Sequence, residues 1–161
     1  TSGMKNTDAV AIIDSTTSRK VLVDDFRRLD TAPTANTASG TIIRMTASTA
    51  VTAGRAVCVQ GGSLTVAHAV ATASGLTGPA IGIAVFSANA GAAVDVLLHG
   101  IAYYTAYPTL TVGSQVFVGD GSGVIESDAN DSTGDAVQVM GICIGNDKIL
   151  INPSPDVIIL S

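Results

Sequence analysis

Thr52-Ala53-Gly54-Arg55-Ala56-Val57-Cys58-Val59 reads again, 59 residues later, as Thr111-Val112-Gly113-Ser114-Gln115-Val116-Phe117-Val118. A second pair keeps that offset: Ile81-Gly82-Ile83-Ala84 returns as Met140-Gly141-Ile142-Cys143. Two separated matches in one register point to a repeated unit. Each unit has the same grammar: a turn with Gly, a Val-rich strand, a Gly/Ser turn, a linker, and a second strand with a central Gly. Val-rich runs bounded by Gly and Ser clusters are strand signals. The expected fold is therefore all-β, an antiparallel β-sandwich or barrel built from two related β modules behind an extended N-terminal arm. The repeat units fall at approximately 50–105 and 109–152. Modules of this kind present surface, so the first functional expectation is a structural or binding protein.

Working outward, strands are expected at 41–45, 56–60, 64–67, 80–86, 93–99, 115–119, 123–127, 136–144 and 148–151. Turn signals separate them: Gly61-Gly62, 75–79, 89–91, 120–123 and Asn146-Asp147. Short strands at this spacing read as a sandwich or barrel. The run 136–144 is apolar on both faces apart from Gln138. That suggests a central strand, or one covered by a partner.

Residues 1–40 read as an attachment arm and linker, and 41–161 as the β body. Val10–Ile13 and Lys20–Val23 have the makings of short strands. Leu22, Phe26 and Leu29 fall at i, i+4 and i+7, one helical face. Asp24 and Asp25 precede Arg27 and Arg28, the order a helix dipole favours, so a turn or two of helix is expected at 24–29. The stretch 31–40 is a Thr/Ala/Ser linker with Pro33.

Composition narrows the function classes. Hydrophobic residues make up 47% of the 161, mostly Ala and Val, and charged residues only 13%, about half the usual share. So neutral a surface tends to be covered by an identical subunit or a host lattice. Lys5, Arg19, Lys20, Arg27, Arg28, Arg44 and Arg55 lie in the first third, and Lys148 is the only later base. A mildly basic arm is thus expected ahead of an acidic body. Such a body argues against wrapping nucleic acid, which needs clustered Lys and Arg. The apolar run at Val10–Ile13 is too short for a signal peptide. No run approaches a membrane span. Cys58 and Cys143 read as small buried hydrophobes.

The chemical motifs are weak. Gly119-Asp120-Gly121-Ser122-Gly123 has the glycines of a phosphate loop but leads into a strand, so it reads as a hairpin turn. Asp128, Asn130, Asp131 and Asp135 are oxygen-rich, yet Gly134 falls one position late for a calcium loop. His68 and His99 have no G-x-S-x-G partner motif. Lys148 lacks the surroundings of a biotinyl or lipoyl lysine. Tyr103, Tyr104 and Tyr107, beside Pro108 at the junction of the repeats, read as packing. No catalytic, cofactor-binding or metal residue is assigned, and the chain is not expected to be an enzyme. The assigned site is the arm: Arg19, Lys20, Arg27 and Arg28 anchoring it to an acidic partner, with Leu22, Phe26 and Leu29 filling a groove.

These residues carry a resemblance. The segment Asp8-Ala9-Val10-Ala11-Ile12-Ile13-Asp14-Ser15, followed by Lys20-Val21-Leu22-Val23-Asp24-Asp25-Phe26, resembles the N-terminal attachment segment of tailed-phage virion proteins. The body, with Ala53-Gly54 before a Val strand and then Ala80-Ile81-Gly82-Ile83-Ala84, is similar to phage capsid decoration (cement) and head-fibre proteins. The end, Ile151-Asn152-Pro153-Ser154-Pro155-Asp156, looks like the end of phage fibre and decoration subunits. The resemblance implies a homotrimer on the outer capsid surface of a virion assembled in the host cytoplasm. It would bridge major capsid protein subunits without catalysis, cofactor, nucleic acid or membrane. The alternative it leaves open is a fibre or receptor-binding module contacting the host surface.

Overall fold

The computed structural model describes residues 9–13, 18–22, 33–75 and 77–161. The chain divides into two compact units, Thr1–Thr31 and Ala32–Ser161. In the first, β1 (Ala9–Ile13) and β2 (Ser18–Leu22) pair antiparallel, with Ala9 opposite Leu22 and Ile13 opposite Ser18. The two short strands expected there are present, shifted by a residue or two. The helix expected at 24–29 lies outside the described residues.

The second unit is all-β, and its described residues contain no helix. Its strands are β3 (Thr37–Ala47), β4 (Ala56–Val59), β5 (Thr65–His68), β6 (Ala80–Ala84), β7 (Ala93–Tyr103), β8 (Gln115–Val118) and β9 (Ile125–Glu126). They continue with β10 (Ala136–Val137), β11 (Val139–Gly145), β12 (Lys148–Ile151) and β13 (Ile158–Ile159). Hydrogen bonding runs β3-β5-β4-β6-β7, and β7 pairs back onto β3. That closes a five-strand barrel. The β3–β5 seam is its one parallel contact, Thr46 opposite Thr65 and Ala47 opposite Val66. Closure removes the edges that an open sheet must protect.

Long strands extend the barrel. The second half of β7 pairs with β12 (Ile101 opposite Leu150), which continues through β11 and β8 to β9. On its other side the same half of β7 pairs with Thr37–Gly40. The unit boundary falls after Thr31, and the last four residues of the expected linker are strand. Gly40 sits opposite Gly100, and a Cβ on either would strike the other strand's backbone. The small residues that looked like a linker are those a close backbone crossing requires.

Two cores result. Met45, Ala47, Val57, Val66, Ala84, Val94 and Val96 fill the barrel. The other face of β4 and β6 carries Ala56, Cys58 and Ile83, which pack with Leu97 against Val116, Val118, Met140, Cys143, Ile149 and Ile151 of the extending strands. Strands β4 and β6 are thus buried on both sides.

The two repeats build the same local architecture. The Gly54 N–H donates to the Ala84 carbonyl at 2.8 Å, and the Ala84 N–H to the Arg55 carbonyl at 2.9 Å. One repeat later the Gly113 N–H donates to the Cys143 carbonyl at 2.8 Å, and the Cys143 N–H to the Ser114 carbonyl at 2.9 Å. The β4–β6 register (Ala56–Ile83, Val57–Gly82, a bulge, Cys58–Ala80) recurs between β8 and β11 as Gln115–Ile142, Val116–Gly141, a bulge, Phe117–Val139. Gly54 and Gly113 open equivalent turns with φ of 77° and 88°.

The expected single strand 136–144 breaks at Gln138. Its side chain is buried and bonds to Ala80 and Ser154 rather than facing solvent.

Candidate interaction surface

The extending strands have one buried and one bare face. Directly opposed residues share a face, so Gln115, Ile142, Leu150 and Ile101 form one row across β8, β11, β12 and β7. Phe117 and Ile144 extend it along their strands. Ile142 and Ile144 remain 44% and 43% exposed, although β11 is hydrogen-bonded on both sides. Leu150, Ile101 and Phe117 are half-buried. This is a contiguous apolar sheet face, the kind of patch that marks an interaction site. At the β11–β12 hairpin end Lys148 lies with Nζ 4.9 Å from the centre of the Tyr103 ring, a cation–π contact. On the terminal strand β9 Glu126 pairs with Phe117.

The arm residues assigned from sequence divide. Arg19, Lys20 and Leu22 lie on β2, opposite Ile12, Ala11 and Ala9. Phe26, Arg27, Arg28 and Leu29 lie outside the described residues. The charge expectation needs correction. In residues 1–31 the bases Lys5, Arg19, Lys20, Arg27 and Arg28 are balanced by Asp8, Asp14, Asp24, Asp25 and Asp30, so this unit is neutral rather than basic. The body keeps Arg44, Arg55 and Lys148 against eight acids and carries the whole net charge of −5. Arg44 is engaged in a two-pronged pair with Asp95, at 2.8 and 3.0 Å. That pair and its hydrogen bonds hold the Asp95 carboxyl below the usual carboxylate range.

The other motifs find structural uses. The 119–123 loop is a hairpin turn between β8 and β9. It docks on the first repeat: the Gly123 N–H donates to the Ala69 carbonyl and the Gly123 carbonyl accepts from the Ala56 N–H. In the acidic loop, Asp135 is buried and accepts from the Ala73 N–H at 2.7 Å, while the Asn130 side chain donates to the Ala136 carbonyl. Among the described residues, no three His, Cys, Asp or Glu side chains group closely enough to hold a metal ion. Cys58 and Cys143 are free and buried.

The tyrosines separate. Tyr104 is buried, its ring against Gly54 and its hydroxyl donating to the Val85 carbonyl at 2.7 Å. Burial pushes that hydroxyl up to about 12. Tyr107 meets Tyr104 edge to face, centroids 5.6 Å apart. Tyr103 alone lies on the bare face. Sequence reasoning took 136–144 as one strand, central or covered by a partner, and did not separate its bare residues from its buried ones. The bulge between Val139 and Gly141 resets the alternation, so that Ile142 and Ile144 share the exposed side and Cys143 the buried one.

His68 joins the repeats. Its Nε2 accepts the Thr52 N–H at 2.9 Å, and its ring lies where a Cβ on Gly123 would touch it. Desolvation, then the Arg55 charge, holds its pKa below the ordinary 6.5. The unfolded chain therefore takes up the proton first on acidification. This contribution to stability is complete above about pH 6.5 and falls as pH drops toward the folded-state pKa. Urea melts at pH 7.5 and 5.5 should show wild type losing more stability on acidification than His68→Gln. Equal losses would refute the assignment.

No protein-family model matches the chain, and no curated protein matches it.

Proposed function

We propose that this chain is a virion structural protein that binds the outer surface of a tailed-phage capsid as a trimer and stabilises the shell. The observation that carries the reading is an acidic, weakly charged β body with a bare apolar sheet face, joined to a separate N-terminal unit. The resemblance of the N-terminal segment to the attachment segments of tailed-phage virion proteins, and of the body to decoration proteins, supports it. The mechanism is mechanical. The β body is a rigid clamp, and the N-terminal unit is the docking element that reaches the major capsid protein. Several weak contacts per trimer add through effective concentration, so the shell resists internal pressure without any one contact being strong.

The test is co-sedimentation of the full chain with DNA-filled heads from which tails have been removed. The chain should pellet with heads, and heads carrying it should withstand heating that bursts bare ones. Removing residues 1–31 should abolish binding while leaving the β signature of the body. Phe26→Ala should weaken binding by about 1–3 kcal/mol per subunit if that ring is an anchor. A chain that ignores heads but binds host cells would move the reading to a fibre or receptor-binding module.

A further inference from the structure

We infer that the bare face of β8, β11 and β12 is the surface on which three copies of this chain meet around a common axis; this rests on the trimeric reading above and gives that trimer its interface. The internal repeat identifies the kind of layer that covers such a face. In the first repeat the face bearing Ala56, Cys58, Ile83 and Leu97 is fully buried, packed against an apolar β layer supplied by the second repeat. One repeat later the equivalent positions are Gln115, Phe117 and Ile142, on the same register with the same bulge, and Leu150 pairs with Ile142 as Leu97 does with Ile83. There Ile142 is 44% exposed where Ile83 is 0%. A face whose twin is closed by an apolar β layer has the shape and pleat to accept another. The twin's layer is the opposite, already buried face of the second repeat, so the apolar layer a second copy offers here is its own bare face.

Charge selects the same occupant. The body's net charge of −5 repels a copy of itself except where acids are absent. The centre of this face is uncharged. Two charges of opposite sign flank it: Lys148 over Tyr103 at the β11–β12 hairpin end, and Glu126 beside Phe117 on the terminal strand β9. Around a cyclic axis unlike parts of neighbouring copies meet. Lys148 then faces Glu126 across every seam.

Sedimentation velocity of the full chain at about 10 μM tests this, in a range where specific interfaces assemble. Wild type should run as a trimer. Ile142→Asp should run as a monomer with an unchanged circular dichroism spectrum, because Ile142 lies outside both cores. Ile142→Thr with Ile144→Thr keeps β-branched residues in the strand. It should weaken the trimer at least about tenfold if those methyls are buried. Lys148→Glu should weaken it too, and adding Glu126→Lys should restore it. A trimer that survives the Ile142 and Ile144 substitutions overturns the inference and leaves the decoration reading intact. A monomeric or dimeric wild type that still pellets with heads also overturns the inference, and the decoration reading then survives without its trimer. A trimer dissociated by Ile142→Asp that never binds heads upholds the inference and sinks the decoration reading.

Discussion

Gly141→Ala should cost about 3 kcal/mol or more, as overpacking against backbone does, and Gly82→Ala should match it. A Cβ on Gly141 would land on the Leu150 carbonyl oxygen, and one on Gly82 on the Leu97 carbonyl oxygen. In each case the obstacle is the backbone of the neighbouring strand, which cannot rotate away as a side chain can. The β11–β12 or β6–β7 ladder would have to part. Gly113→Ala is the control. Its φ of 88° disfavours alanine, but nothing lies within 4 Å of the added carbon. Its cost should stay near the 1–2 kcal/mol of a left-handed residue. Urea denaturation of the three variants checks the order. A Gly141→Ala protein no less stable than Gly113→Ala would show that the strand approach is not as close as described.

Gln138→Leu should be comparably damaging for a different reason. Gln138 is 4% exposed and fully bonded: Oε1 accepts the Ala80 N–H at 2.8 Å, and Nε2 donates to the carbonyls of Ala80 and Ser154 at 2.9 and 2.7 Å. The side chain stands in for a neighbouring strand where β6 begins and β10 gives way to β11. Leucine fills the space but strands one donor and two acceptors, at about 1–3 kcal/mol each. The expected loss of roughly 3–5 kcal/mol is a large part of a small domain's stability. Gln138→Glu separates hydrogen bonding from shape. Its carboxylate would face two carbonyls, raising its folded-state pKa. Its stability relative to wild type should therefore be best at about pH 4 and fall as pH rises above the ordinary glutamate value. A Gln138→Leu variant within about 1 kcal/mol of wild type would refute the role.

Much of the body was legible because its signals are local. Val-rich runs between Gly and Ser turns located β4, β5, β6, β8, β9 and β12 to within a few residues. The 59-residue offset by itself places Gly82 and Gly141 in like surroundings. The errors came where long-range pairing decides. β3 starts at Thr37 because the second half of β7 needs a partner, and no local propensity in Thr37–Gly40 announces that. β13 is two exposed isoleucines paired with β10, too short to carry a period. The break at Gln138 depends on Ala80, which lies 58 residues away.

The sequence by itself determined the all-β class, the repeat, the strand-and-turn order and the uneven placement of charge, since alternation, turn chemistry and composition act over a few residues. Tertiary structure alone decided that five strands close into a barrel. It also decided which face of each repeat is covered. The two repeats present the same pattern at Ile83 and Ile142, and a pattern cannot say which copy receives a covering layer. Burial is a property of what packs against a face, and here the first repeat is covered by the second while the second's own outer face is left bare.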